Sequence, residues 1–184
     1  VPPRKRAHPA ERRAEILAAA LDLFAERGYR GTSLAAVADR IGLTQQGVLH
    51  YFPSKDALLT EVLRRRDEID EQTFAGAARE DALATMERLV AYNATRPGLV
   101  QSFTVLSADS VTEDHPAKEF FVERYRRMRE MATVPAAGLT AEQTAALLIA
   151  VMDGLQLQWL LDPSVDMVEI FHGFAALLRN NQNP

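Results

Sequence analysis

The 184-residue chain contains no cysteine. That excludes disulfides, thiolate catalysis, Cys-ligated zinc and iron–sulfur clusters, and it fits a reducing compartment, so a cytoplasmic location is expected. No unbroken apolar run approaches the roughly 20 residues of a membrane span, so no membrane partner is expected. The opening residues are Pro-containing and basic, unlike a secretory leader. Because the first residue is Val1 and not Met, some native sequence before it is expected. Histidines are few and scattered: His8, His50, His115 and His172 make neither a His-x-x-x-His pair nor a Glu-paired metal spacing. There is no Gly-rich phosphate loop and no nucleophile elbow. No cofactor, no metal and no catalytic residue are therefore expected.

What the chain does have is 47% hydrophobic and 25% charged residues, the mix of a soluble globular protein. Its length allows one domain or two small ones sharing a core. The formal net charge of −4 is unevenly spread. Residues 1–52 hold eight basic against five acidic side chains, a balance of +3, while the remainder carries 13 against 20, or −7. This suggests a basic head on an acidic body, although chance scatter gives the same numbers.

Helical periodicity runs through the whole chain, and no alternating strand pattern competes with it. From Pro9 to Arg27, Ile16, Leu17, Ala20, Leu21, Leu23 and Phe24 recur at three- and four-residue spacing, with Gly28 placed to end that helix. A short helix follows Thr32-Ser33 and ends at Gly42. A second runs from Gln45 to Phe52 behind Thr44, and a long one runs from Lys55 towards Gln72 behind Ser54. Further helices are expected near 79–95, 98–110, 116–133, 140–161 and 165–180, divided by Pro and Gly. Thr140 to Gln143 reads as a capping box, and Asp162-Pro163 as a cap followed by Pro in the first turn. The expected fold is all-α with about nine helices. An N-terminal three-helix helix-turn-helix domain spans 1–53, a connecting helix 54–76, and a C-terminal ligand-binding and dimerisation domain 77–184.

Residues 33–52 carry the functional signal. Ala38 is small where two short helices would cross, and Gly42, four residues on, can take the positive φ of a tight turn. Val37, Ile41, Leu43 and Val48 would lock the second helix across the first. Its polar start, Thr44-Gln45-Gln46, is then the end that enters a major groove. A plain helical hairpin would share the small residues alone.

The segments Gly28-Tyr29 through Thr32-Ser33, Ala38-x-x-x-Gly42, His50-Tyr51-Phe52-Pro53-Ser54-Lys55 and Ala57-Leu58-Leu59, in that order, closely resemble the DNA-binding domain of the TetR (tetracycline-repressor-like) family. The resemblance covers about residues 10–60. The stretch from Asp153 to Pro163 looks like the dimer-forming helix of many such proteins. Residue chemistry assigns the readout: Gln45 and Gln46 can pair with adenine edges at about 1–3 kcal/mol of discrimination each. Gly47 would let the backbone approach the duplex, and Leu49 could touch a thymine methyl. By resemblance, Thr44, His50 and Tyr51 contact phosphate, joined by Thr32 or Ser33 and by Lys55. A solvated helix start for the glutamines, and local packing for His50 and Tyr51, are the alternatives. Ala35 and Leu49 depart from the basic residue and the Tyr common in relatives, which implies fewer phosphate contacts and a shallower salt dependence. Arg4-Lys5-Arg6 reads either as an arm reaching an adjacent groove or as a tail.

The resemblance implies a homodimer on palindromic double-stranded operator DNA, released by a small-molecule effector. Leu148, Met152, Leu155, Gln156 and Trp159, with Val168, Phe171, Phe174, Ala175 and Leu178, form apolar faces on the last two helices that would pair with their copies in a four-helix bundle. Closing the protomer's own core is the other reading. Met86, Tyr92, Phe103, Met128 and Trp159 would line an effector cavity for an apolar or amphipathic molecule. Each alone also reads as packed core. A transcriptional activator, a ligand-independent DNA-binding protein and, remotely, a helical enzyme are the competing functions.

Overall fold

Local sequence chemistry sets the start of the first helix. In α1 (Pro9–Arg27) Pro9 occupies the first turn, and the Glu11 carboxylate accepts the His8 N–H at 3.0 Å. Gly28 ends it at φ 66°, ψ 176°, a conformation open essentially to glycine alone. The structure, a computed structural model, describes residues 8–74, 81–136 and 138–180, with the side chains of 69–74 excepted. The Arg4-Lys5-Arg6 segment lies outside the described residues.

The chain continues as α2 (Leu34–Arg40), α3 (Gln45–Tyr51), α4 (Lys55–Phe74), α5 (Ala82–Ala94), α6 (Pro97–Asp109), α7 (Lys118–Met131), α8 (Ala141–Leu161) and α9 (Met167–Asn180). Apart from an isolated bridge between Ala136 and Leu139, there is no β structure among the described residues. The Thr140 capping box forms, with Gln143 N–H donating to the Thr140 hydroxyl at 3.2 Å and the Gln143 side chain accepting from Thr140 N–H at 2.9 Å. The last helix begins later than the expected residue 165. Asp162 accepts from Ser164 N–H in a turn, and Asp166 caps α9 by accepting from Val168 and Glu169.

Two apolar clusters organise these helices. The first joins Ile16, Leu23 and Phe24 of α1 to Val37, Val48, Phe52, Leu58 and Leu63, and extends to Leu106 of α6 and Phe121 of α7. The second joins Leu83, Met86 and Val90 of α5 to Leu148, Met152 and Leu155 of α8 and to Met167, Phe171 and Ala175 of α9. Each fully buried Leu, Phe or Met contributes about 1.5–3 kcal/mol by leaving water. The head therefore does not end at its own core: α6 and α7 supply part of it.

This packing corrects the expected dimer face. Leu148, Met152, Leu155, Gln156, Phe171 and Ala175 are buried inside the protomer, so they have no surface to offer a second copy. Trp159, Val168, Phe174 and Leu178 are half-buried at the edge of the second cluster. The reason lies in α8, which is apolar on nearly every side, so periodicity alone could not say which side faces inward. By length and composition α8 is also apolar enough to cross a membrane, a property the sequence hid by placing Gln, Asp and Gly within it. One side of it closes the second cluster.

Candidate nucleic-acid interface and effector cavity

The turn between α2 and α3 is built from backbone bonds around one small residue. Ala38, 1% exposed, offers its carbonyl to Ile41 N–H at 3.2 Å and Leu43 N–H at 2.9 Å, and Gly42 takes φ 67°. Val37 and Val48, both fully buried, fix α3 across α2. Thr44 caps α3, its hydroxyl oxygen accepting from Gly47 N–H at 3.1 Å. Gln45 and Gln46 are exposed on the first turn, Gly47 and Leu49 are half-buried, and His50 is exposed. A Cβ at Gly47 would make only ordinary contacts, 3.4 Å to Thr44 Oγ1 and 3.8 Å to Leu43 Cβ. The protomer itself does not require glycine there. His50 packs edge-on against Tyr51, with ring centroids 5.4 Å apart.

Ser33 is exposed and caps α2 by accepting from Ala36 N–H at 3.1 Å. Two of the expected phosphate ligands are engaged elsewhere. Thr32 is 2% exposed, and its hydroxyl donates to the carbonyls of Leu23 at 3.0 Å and Gly28 at 2.9 Å, so its side chain ties down the α1 terminus instead of reaching outward. Lys55 Nζ donates to the carbonyls of Tyr29 and Thr32, both at 3.0 Å, and sits 4.1 Å from the Tyr29 ring centre. It staples the turn before α2, with one of its three donors left over. The basic character of the head is likewise tempered: Arg12 pairs with Glu15, Arg13 with Glu61 and Arg40 with Glu26, at 2.6, 2.6 and 2.8 Å.

The same turn docks onto the body, a feature the sequence reading missed. Tyr29 N–H donates to Asp109 Oδ2 at 3.2 Å, at the last residue of α6. The Tyr29 ring meets His115 edge-on at 5.0 Å, and its hydroxyl bonds Asp56. His115 is 5% exposed, accepts Ala117 N–H at Nδ1, and has its pKa pushed below the usual imidazole value by burial. Nothing in the sequence around Asp109 distinguishes it from any solvated helix-end acid.

A cavity of about 400 Å³ opens among α4, α5, α6, α7 and α8. Phe103 and Met128 line it, together with Phe121 and Met152. Of the other expected lining residues, Met86 lies in the second core cluster, Trp159 packs at that cluster's edge, and Tyr92 is covered by the Arg96 guanidinium. None of the three reaches the cavity wall. The wall also carries polar groups that periodicity did not flag: Arg66, Asn93, Arg124, Asp153 and Gln156. Gln156, read as a dimer residue, turns inward to this wall. Tyr125 donates to Asp153 at 2.7 Å, while burial raises the Asp153 pKa against that bond. The sequence signals were present but faint: an Asp and a Gln inside an apolar helix, and Arg66-Asp67 near the middle of α4.

Comparison with known proteins agrees with this geometry. Residues 16–62 match the model of the bacterial regulatory proteins of the tetR family. The HTH-type transcriptional regulator RutR of Escherichia coli strain K12 is 47% identical over 62 residues, covering 34% of this chain and 29% of RutR. The HTH-type transcriptional repressor KstR2 of Rhodococcus jostii is 38% identical over 81 residues, covering 43% of this chain and 40% of KstR2. The matched chain thus spans less than half the length of these curated relatives. Over the whole fold it superposes on the transcriptional regulator FadR of Bacillus subtilis, solved with stearoyl-CoA, with a TM-score of 0.71 at 15% identity, covering 90% of this chain and 96% of FadR. That likeness establishes the all-α architecture of head and body. The capped α3 and its tight turn fall inside the matched segment, so residues 16–62 of this chain are similar to the bacterial regulatory proteins of the tetR family.

Proposed function

We propose that the chain is one protomer of a homodimeric transcriptional repressor, not an enzyme, acting on palindromic double-stranded DNA in the cytoplasm and released by a small-molecule effector. The observation that carries the reading is the α3 N-terminus: Gln45 and Gln46 are exposed on a helix whose position is fixed by buried Val48 and the Thr44 cap. Those two side chains read base edges, Gly47 and Leu49 lie against the groove floor, and Ser33, Thr44, His50 and Tyr51 hold phosphates. Residues 1–53 act as the DNA-binding head, 54–76 as the connecting helix and 77–184 as the effector and dimer body.

One head neutralises few phosphates, so two must act together about 34–36 Å apart. An apolar stripe on the outside of α8 and α9 supports the pairing. Leu147, Leu157 and Leu161 on α8 and Ile170 and Leu177 on α9 are 47–78% exposed and, taken with Gly154 and Gly173, are separated by three, four or seven residues. Gly154 and Gly173 lie along the same stripe, and a Cβ at either would meet nothing within 4 Å. Such positions let helices of two copies approach closely. Phe174 and Leu178 border this surface.

The cavity supports effector control, since Phe103, Thr104, Ser107 and Ala108 of α6 line it and Asp109, the next residue, holds the Tyr29 turn of the head. A molecule that binds better when α6 is displaced shifts the heads apart; one indifferent to that displacement shifts nothing. Selecting bound sequences from a random DNA pool tests the core of the reading. A palindrome is expected, with Gln45→Ala and Gln46→Ala each losing about 1–3 kcal/mol of discrimination at one base step. Recovery of the same half-sites, at the same affinity, by both variants would overturn the assignment of α3.

A further inference from the structure

We infer that the body cavity takes a small, largely apolar molecule that carries a secondary amide, its N–H and carbonyl met by the side chains of Asn93 and Gln156. The inference rests on reading this cavity as the effector site and adds the chemistry of the ligand. At about 400 Å³ the cavity is near the small end of the range of about 300–1,000 Å³ for small-molecule sites. Its apolar wall of Phe103, Phe121, Met128 and Met152 suits one ring or branched chain, not a long lipid.

Two carboxamides set the ligand's polar group. Asn93 on α5 is 6% exposed and Gln156 on α8 is 8% exposed, and both line the cavity. Neither Asn93 Oδ1 nor Gln156 Nε2 has a hydrogen-bonding partner within the protein. The charged groups of the same wall are engaged inside the protein. Asp153 accepts from the Tyr125 hydroxyl at 2.7 Å, Arg124 pairs with Asp67, and the Arg66 guanidinium lies 5.4 Å from the centre of the Phe103 ring.

The amide follows from the complementarity of these two atoms, one an acceptor and the other a donor. Buried polar atoms are normally satisfied, and each one left bare costs stability. Two on the wall of one cavity mark where a ligand's polar group sits. A secondary amide offers an N–H to the Asn93 oxygen and a carbonyl to the Gln156 nitrogen. An ester of the same shape keeps the carbonyl but puts a second oxygen in place of the N–H. It loses one bond and leaves the Asn93 oxygen unpaired, which is how a polar site rejects an analogue lacking a donor.

Calorimetric titration of the unmodified chain tests this without DNA, using N-benzylacetamide against benzyl acetate and N-isopentylacetamide against isopentyl acetate. All four are uncharged, so Arg66, Arg124 and Asp153 do not separate the members of a pair. At least one amide is expected to bind tenfold or more tightly than its own ester. The double variant Asn93→Leu with Gln156→Met, similar in side-chain size, should bring the two within twofold. It should also unfold in urea at an equal or higher midpoint, because apolar atoms replace bare polar ones. If no amide binds, or amides and esters bind alike, as when water alone fills the site, the inference is overturned. A lower midpoint with the amide preference retained would assign both side chains to the fold and overturn it too. Should the double variant fail to fold by circular dichroism, the amide-to-ester ratio on the unmodified chain decides alone. Operator DNA released only by molecules without an amide would overturn the inference while leaving the repressor reading standing. A chain that prefers these amides but binds no DNA would do the reverse.

Discussion

Replacing Leu177 by glutamate separates dimerisation from folding. Leu177 is 63% exposed on α9 and sits on the stripe with Ile170 and Gly173, so in the isolated protomer the substitution falls in solvent. Surface changes of that kind stay within about 0.5 kcal/mol of neutral. In a two-fold dimer each residue of the stripe is buried twice over. Leu177 loses about 1–2 kcal/mol of apolar burial per copy, scaled from the full value of a leucine by its exposure. A glutamate buried without a partner adds at least about 2 kcal/mol more per copy. The total is about 6 kcal/mol or above, near four powers of ten in the dimer dissociation constant. Sedimentation velocity at micromolar concentration should show a monomer with unchanged helical circular dichroism and lost operator binding. Val122→Glu, which alters an equally exposed apolar residue on α7, should remain dimeric. A Leu177→Glu chain that sediments as the wild-type dimer would refute the assignment of the outer α8–α9 face.

Two further outcomes follow from the head–body junction. Gly28→Ala is expected to lose about 1–3 kcal/mol in urea unfolding, because φ 66° with ψ 176° is a glycine conformation and the new Cβ would stand 2.7 Å from Asp109 Oδ2. Unchanged stability would mean that the α1 terminus does not dock on α6 as described. The second concerns pH. His115 has a folded pKa below its ordinary value of about 6.5, so between the two values the unfolded chain binds more protons. Its contribution is fully present above about 6.5 and is lost as pH falls through that value towards the folded pKa. The urea midpoint should therefore drop on acidification below about 6.5, and His115→Gln should flatten that part of the profile. A slope unaltered by the substitution would assign the acid sensitivity to other groups.

Docking of the Gly28–Tyr29 turn also gives the proposed regulation a physical path. Asp109 ends the helix whose preceding residues line the cavity, and the same carboxylate accepts the Tyr29 N–H at 3.2 Å. A displacement of α6 that repositions this carboxylate acts on the α1–α2 junction directly. Lys55 and Thr32 brace the other side of that junction through the carbonyls of Tyr29, Thr32, Leu23 and Gly28.

The amino-acid sequence by itself determined what is local. Thr44 and Thr140 cap their helices, Gly42 makes its turn, and Val37, Ala38 and Val48 lock α2 to α3, because caps, turns and crossing points depend on neighbours a few residues away. Tertiary structure alone decided the rest. Periodicity groups Leu148, Met152, Leu155, Phe171 and Ala175 on common faces, but whether such a face meets the protomer or a second copy depends on where α5 lies. Thr32 and Lys55 have the chemistry to hold phosphate, yet carbonyls brought near by the fold of α1 claim them. Asn93 and Gln156 are ordinary polar residues 63 positions apart in the chain, and only the tertiary arrangement of α5, α6 and α8 sets them in one cavity. Pair energies between distant residues are written by three-dimensional proximity, and no window along the sequence contains it.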